Sequence, residues 1–312
     1  MFFRPTVESD LDAVLSVTVT DPISWADPER YRRFLDAGSY RPAHTWIAED
    51  ADGRMLARAV WWTFPEGDRP LALDCIWVDE SVADRVAVAA ALLSAAHRAF
   101  PAGSLPEYHL FLPPGWRQDP AVAAAVRWRQ DAAARAGLGA ELERLRYEWT
   151  PELPVPADRG LVEFRAEPDD AAFVEVFRRV AVGSLDDDTR RGLERADAQA
   201  QAEDTLADYL RMPGERAWWR LAYTPQGEVA GFAIPSANQG GPVVGYLGVV
   251  PEQRGRGLVD DLLGEITRSH AGRGAQRIGA DTDFGNAPMA AAFDRAGYRN
   301  FGVRLVLSAA AH

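Results

Sequence analysis

The chain has 312 residues, 47% of them hydrophobic, enough for about two cored domains at roughly 150 residues each. Its 34 basic and 46 acidic residues give a formal net charge of −12; this disfavours sequence-independent nucleic-acid binding, which needs a basic surface, and leaves an acidic surface that keeps the chain soluble and draws cationic ligands such as amines. One cysteine, Cys75, and five scattered histidines exclude an internal disulfide and any cysteine-rich or histidine-spaced metal site.

In chain order, the opening "MFFRPTVESD" carries an arginine and acids where a signal peptide has an apolar core, so a cytoplasmic protein is expected. It reads as a strand followed by a helix that starts in acids. "TWIAEDADGRMLARAVWW" reads as a hairpin turning at Asp52-Gly53. "LALDCIWVDESVADRVAVAAALLSAAHRAF" reads as a strand and a long helix. Its alanine-rich run Val86–Phe100 is broken by Ser94, His97 and Arg98, and no segment approaches the ~20 apolar residues of a membrane helix. A second helix ends at "AAARAGL", where Gly137 fits a left-handed C-cap, and "ELERLRYEW" is expected to close the first half as its last strand. "TPELPVPADRG", Thr150 to Gly160, has the proline spacing of an extended linker.

The second half repeats this order. "VEFRAEPDDAAFVEVF" gives a strand and an acid-started helix, and "WWRLAYTPQGEVAGFAI" a hairpin at Gln226-Gly227. "VGYLGVVPEQRGRGLVDDLLGEITRSHAG" gives a strand and helix, "AAFDRAGY" a helix ending at Gly297, and "NFGVRLVL" the expected closing strand. The period of about 160 residues is too long for a solenoid and marks a duplicated domain: residues 1–150, a linker at 151–160, and residues 161–312. The halves differ between the first strand and the hairpin, where the second carries Gly183 to Met212. That stretch reads as a capped helix pair starting at Ser184 or Asp186, with Leu206, Tyr209 and Leu210 as an apolar stripe. Trp61, Trp62, Trp218 and Trp219 fall in the hairpin strands, where core or interdomain packing leads over an aromatic acceptor pocket.

The halves also differ in one loop. In the second, the strand Tyr246–Val250 is stopped by Pro251 and followed by Arg254-Gly255-Arg256-Gly257 and a helix from Leu258. A strand, a glycine-rich turn and a helix N-terminus make a diphosphate cradle, because backbone amides point outward and glycine lets the main chain approach closely. The equivalent "VDESVADRV" has no glycine and carries Asp79, Glu80 and Asp84, so only the second half is expected to bind a phosphorylated ligand. The dinucleotide fingerprint lacks its third glycine and the P-loop its Gly-Lys-Ser/Thr.

On these residues the second half resembles the GNAT superfamily of acetyl-CoA-dependent N-acyltransferases. The family's Gln/Arg-x-x-Gly-x-Gly/Ala is matched by Arg254, Gly257 and, as a departure, Val259; a second signature is matched by Asn286, Met289, Phe293 and Gly297-Tyr298. The resemblance covers about Val162 to Leu307 and reaches the first half only through the repeat. It implies a mixed α/β fold of two tandem GNAT-like domains, each a mostly antiparallel twisted sheet flanked by helices, the first copy degenerate. It implies acetyl-CoA as acyl donor, with Val249 and Val250 pairing with the pantetheine arm, the amides of Arg254, Gly255, Arg256, Gly257, Leu258 and Val259 on the pyrophosphate, and Asn286 and Phe293 beside the arm. Asn286 also fits an ordinary helix N-cap before Pro288, and Arg254 and Arg256 fit solvated loop arginines. The helix pair would lid the acceptor site, where its acids suit a cationic amine or simply form a solvated face.

Acyl transfer to an amine needs a base, a stabiliser of the oxyanion and, for some thiolates, an acid. Family members often use a tyrosine as the acid; here that position is Phe293, which has no proton to give, so Tyr298 is the substitute, competing with a packing role. No carboxylate lies between Gly241 and Val250. Asp281 and Asp283 share one face of the next strand, and Asp283, at its end, is the expected base or ammonium holder unless it is a turn residue. The expected partner is a small-molecule amine, with no nucleic acid or membrane, in a monomer of pseudo-dimeric halves or a homodimer. The alternative is an acyl-CoA sensor or scaffold without catalysis.

Overall fold

Acidic side chains and Asn286 start most of the helices, for a common reason: the first amides of a helix have no partner within it, and a short side-chain oxygen supplies one. Asp27, Asp84, Asp119, Asp169, Asp186, Asp197 and Asn286 each accept a first-turn amide in this way. In the computed structural model, which describes residues 1–17, 22–23, 27–103, 105–238 and 240–310, the chain divides into two compact units. One is Met1–Glu143 with Val303–His312, and the other is Arg144–Gly302.

The first unit holds strands β1 (Phe2–Pro5), β2 (Thr45–Glu49), β3 (Met55–Trp62), β4 (Ala72–Val78) and β5 (Glu107–Leu112). Its helices are α1 (Leu11–Leu15), α2 (Pro28–Asp36), α3 (Arg85–Ala99) and α4 (Pro120–Arg135). β1 to β4 pair antiparallel in order, and β4 pairs parallel with β5. β6 (Ala140–Trp149) runs from this unit into the second.

The second unit continues with β7 (Glu163–Arg165), α5 (Asp170–Ala181), α6 (Asp187–Arg195), α7 (Ala198–Arg211), β8 (Arg220–Tyr223), β9 (Val229–Asn238), β10 (Gly241–Val249), α8 (Leu258–Gly272), β11 (Ile278–Asp283) and α9 (Ala287–Arg295). The last strand, β12 (Arg299–Ser308), starts here and finishes in the first unit. β7 to β10 are antiparallel neighbours, and β10 meets β11 in parallel. Each face of this sheet is covered. Leu258, Leu262, Leu263, Ile266 and Phe293 pack on one side with Tyr147 and Trp149, and Phe173, Phe177, Trp219, Phe232 and Val250 form the core of the other. Trp61 and Trp219 are buried core residues.

Two expectations about organisation are corrected. The closing strands are exchanged between halves: Arg144–Trp149 of β6 pairs with β11, and Val303–Leu307 of β12 pairs with β5. Thus a cut between residues 150 and 161 does not separate the units. The proline-rich stretch is not a free linker either. The indole of Trp149 donates to Pro154 O at 3.1 Å, and Arg268 donates to Pro156 O at 3.1 Å. Pro154 also lies 3.4 Å from where a Cβ on Gly297 would stand. Those carbonyls need donors that proline itself lacks, and α8 and the end of β6 provide them. No helix among the described residues is long and apolar enough to cross a membrane.

Candidate active site

The site begins with a proline. Pro235 in β9 has no amide for the ladder, and the β9–β10 register slips opposite it, with Ile234 facing Tyr246 and Ser236 facing Val243. Val244 and Gly245 form the resulting bulge. A Cβ on Gly245 would sit 2.4 Å from Ile234 O, so glycine is required. A bulge bends the strand that carries it and interrupts its pairing. The parallel register of β10 with β11 consists of the pair Val243↔Gly279, and among the described residues no further register pair follows it. An edge of β10 is thereby left open, as needed for an added extended chain. The usable part of this edge ends earlier than the sequence suggests. Val250 is fully buried and its amide already donates to Ala230 O at 3.0 Å, so the expected pairing role of Val250 is not available.

The glycine loop follows. Gly255 and Gly257 have φ of +76° and +73°, the left-handed region that favours glycine. Gly257 is the N-cap of α8, and among the described residues no backbone acceptor meets the amides of Gly255 through Val259. Five outward amides at a helix N-terminus form an anion nest and fit a diphosphate. Arg254 departs from expectation. Its amide is taken by Pro251 O at 3.2 Å, and its side chain turns back to Val249 O (3.1 Å), Val182 O (2.8 Å) and Val180 O (2.7 Å). It therefore holds the C-terminal end of α5, where a cation suits the helix dipole, rather than offering its amide to the ligand. Arg256 bonds Gln253 at 2.8 Å. The first unit's equivalent loop is closed. Asp79 accepts from the Ser81 amide and Asp84 from the Ala87 amide, both at 2.9 Å, so its own carboxylates occupy the donors an anion would need. Arg129 of α4, 2% exposed, also donates to Ile76 O of β4.

A cavity of about 670 Å³ opens beside these strands. Its walls include Asn286, Met289 and Phe293 of the second motif, Tyr246 and Leu247 of β10, Asp281 and Thr282 of β11, Arg144 of β6, and α6 and α7. Asn286 caps α9, accepting the Met289 amide at 3.3 Å, and lines the cavity as well. Phe293 is buried and stacks on Tyr147 at 4.8 Å. The polar lining is acidic: Asp186, Asp188, Asp204, Asp208 and Asp281 against Arg144 and Arg195. Arg144 is already ringed by Asp188 (3.0 Å), Asp283 (3.0 Å) and Asp186 (3.4 Å). Although burial works against it, these acids, Asp188 foremost, raise the guanidinium above its usual range.

Two sequence candidates for catalysis move out of the cavity. Asp283 is 3% exposed and is not part of the wall; it accepts the Asp187 amide at 2.6 Å and faces Arg144. Burial pushes its carboxyl above the ordinary aspartate range against the pull of the Asp187 amide and Arg144. It anchors the start of α6 to β11. Asp281, two residues earlier on the same face, is the carboxylate of this strand that reaches the cavity. Tyr298 is 4% exposed, exchanges a 2.8 Å hydrogen bond with Thr267 and packs on Phe293; burial raises its pKa. Its hydroxyl has a core partner and does not reach the cavity wall.

The cavity contains two tyrosines to which the pattern gave no part in the site, one expected in an apolar helix stripe and one in a strand. Tyr209 of α7 stacks on Tyr246 at 5.6 Å and donates to the bulge carbonyl of Gly245 at 3.0 Å. Burial raises both phenols, Tyr246 to about 12, so both carry their protons at neutral pH. Tyr246 lay within the recognised strand; its sequence position alone does not reveal that a bulge would turn its ring to the cavity. Among the described residues, no group of three or more histidine, cysteine or acidic side chains is arranged to hold a metal ion.

A β10–β11 pair joined at one register position, an amide nest and a cavity walled in part by α6 and α7 thus lie together in the second unit. The acetyltransferase (GNAT) family model matches residues 183–298. This segment is a GNAT domain. The fold of the whole chain is similar to a GCN5-related N-acetyltransferase from Sphaerobacter thermophilus, with TM-score 0.58 and 16% identity over 98% of this chain and 94% of that one. It is also similar to a fungal multi-domain GH3 β-N-acetylglucosaminidase containing a GCN5-related glucosamine N-acetyltransferase region, with TM-score 0.57 and 14% identity over 98% of this chain and 38% of that one. A functionally unknown conserved protein from Staphylococcus epidermidis matches with TM-score 0.50 and 13% identity over 85% of this chain and 94% of that one. At these identities the structural likeness concerns the fold, which is the GNAT mixed α/β fold with a mostly antiparallel sheet. No curated protein sequence matches the chain. GNAT proteins are acetyltransferases, and acyl transfer is the general activity that accompanies this domain.

Proposed function

We propose that the second unit transfers an acetyl group from acetyl-CoA to the primary amine of a small cationic acceptor, by direct attack in a ternary complex. The observation that carries the reading is the β10–β11 pair joined at one register position, Val243↔Gly279, with an amide nest at one end and an acidic cavity alongside. In this reading Gly255 to Val259 hold the pyrophosphate and the Leu247–Val249 edge of β10 holds the pantetheine arm. The acidic wall gathers the ammonium, and Asp281, directly or through water, takes the proton that frees the amine lone pair. The nitrogen then bonds to the thioester carbonyl carbon, the carbon–sulfur bond breaks, the thiolate leaves with the electron pair, and the nitrogen gives up its second proton to solvent water as the amide forms. Phe293 has no hydroxyl; of the two phenols in the cavity wall, Tyr209 already donates its proton to Gly245 O, which leaves Tyr246 to return a proton to sulfur. Small amines of the cell interior are the substrate class this reading implies, with no nucleic acid or membrane partner.

The test is calorimetric titration with CoA followed by a thiol-release assay with acetyl-CoA across a panel of amines. Saturable CoA binding and thiol release with a di- or polyamine are expected; no CoA binding by the intact protein refutes the reading. The buried phenylalanine at the usual tyrosine position and the core-bound Tyr298 favour a second reading, an acyl-CoA sensor without turnover. Thiol release with any amine excludes it.

A further inference from the structure

We propose that Arg159, in the proline-rich segment, is a positioning residue of the cofactor site, setting the direction of the loop amides and neutralising the acids beside them. This rests on the reading of Gly255 to Val259 as the CoA pyrophosphate site. All three guanidinium nitrogens of Arg159 are engaged at the start of α8. Nε meets Asp261 at 2.6 Å, one terminal nitrogen meets Asp260 at 3.3 Å, and the other donates to the carbonyl of Gly257. Asp261 is completely buried, and its second oxygen accepts the Leu161 amide at 3.1 Å. The segment is thus fastened to the first turn of α8 through both oxygens of one buried carboxylate.

The Gly257 carbonyl shares a planar trans peptide with the Leu258 amide, so carbonyl and N–H point in opposite directions. Holding the oxygen from behind fixes the N–H on the outward side, where the nest needs it. Gly257 is also left-handed, and glycine by itself leaves φ free to relax. Charge supplies the second part. Asp260 and Asp261 sit in the turn whose amides face the anion, and two unneutralised carboxylates there would repel a diphosphate. Arg159 meets both, and Arg295 meets Asp260 at 2.7 Å. The exchanged strand and the docked segment therefore bring into the second unit a residue that belongs to neither family motif.

The experiment uses the full chain and CoA as the probe, comparing wild type with R159Q, R159K and, as a control, R165Q, whose partner is the exposed Glu163. R159Q is expected to raise the CoA Kd about tenfold, R159K several-fold because lysine keeps the charge but cannot span Asp261 and the Gly257 carbonyl together, and R165Q not at all. In steady state the KM for acetyl-CoA rises by the same factor while kcat at saturating acetyl-CoA stays within twofold, a split that a general loss of folding does not produce. If R159Q does not fold, R159K carries the test. Wild-type Kd in R159Q or R159K overturns the role of Arg159 and leaves the CoA site standing; a wild-type chain that does not bind CoA overturns both.

Discussion

Replacing Gly257 by alanine separates the cost of a left-handed residue from its use. Gly257 has φ +73°, and a Cβ there would lie 3.7 Å from the Arg159 guanidinium, an ordinary contact, so no clash adds to the backbone term. An L-residue in this region costs roughly 1–2 kcal/mol. The free loop escapes part of the strain by rotating Gly257, which turns the Leu258 amide away from the nest. Binding must restore the turn, so the CoA Kd is expected to rise by up to about 5- to 30-fold, the same energy expressed as an equilibrium constant. Gly227 supplies the control: it turns the β8–β9 hairpin with φ +83° and has nothing within 4 Å of its would-be Cβ. Gly227→Ala should lose comparable stability in urea, roughly 1–2 kcal/mol, with CoA affinity unchanged. Calorimetry with CoA on both variants is the assay. A Gly257→Ala protein that binds within twofold of wild type, or a Gly227→Ala protein that binds equally poorly, refutes the reasoning.

Arg144→Met should destabilise the protein by about 3 kcal/mol, since it leaves the buried Asp283 without its cation, and Asp283→Asn added to it should restore part of the loss in denaturant midpoint. Asp281→Asn should lower kcat with a diamine acceptor at least about tenfold while leaving the CoA Kd unchanged; a wild-type kcat would rule Asp281 out as the proton acceptor. Tyr246→Phe keeps the ring contacts with Phe177, Tyr209 and Phe232 and should lower kcat at least about tenfold if its hydroxyl returns the proton to sulfur. His44, His97 and His270 all have pKa values lowered first by burial. They are neutral in the fold, so their contribution is full above the unfolded value of about 6.5 and is lost as pH falls through it towards the lowered folded values. Thermal midpoints should drop between pH 7.5 and 5.5, and His270→Gln, which keeps a donor for Val243 O, should flatten part of that drop; a flat wild-type profile contradicts the assignment.

By itself the sequence determined the features that depend on neighbours a few residues away. Asp186 and Asn286 cap their helices, Gly53 and Gly227 turn the hairpins, Gly137 and Gly297 end α4 and α9, and Gly255 and Gly257 set the loop. Each is fixed by one residue's φ preference or by the reach of a short side chain, which the local pattern carries. The tertiary structure decided the rest. "ELERLRYEW" and "NFGVRLVL" have no local preference for β11 or β5, because strand pairing is set by the sheets available, and the exchange follows from packing. Alternation placed Asp281 and Asp283 on one face, but only the position of α6 buried Asp283 under Arg144 and left Asp281 at the cavity. Tyr298 met Thr267, Arg254 met the end of α5, and Arg159 met Asp261 across 102 residues of chain. Such contacts join side chains from distant elements, and their energy depends on burial and on the partner's distance, which no local pattern encodes.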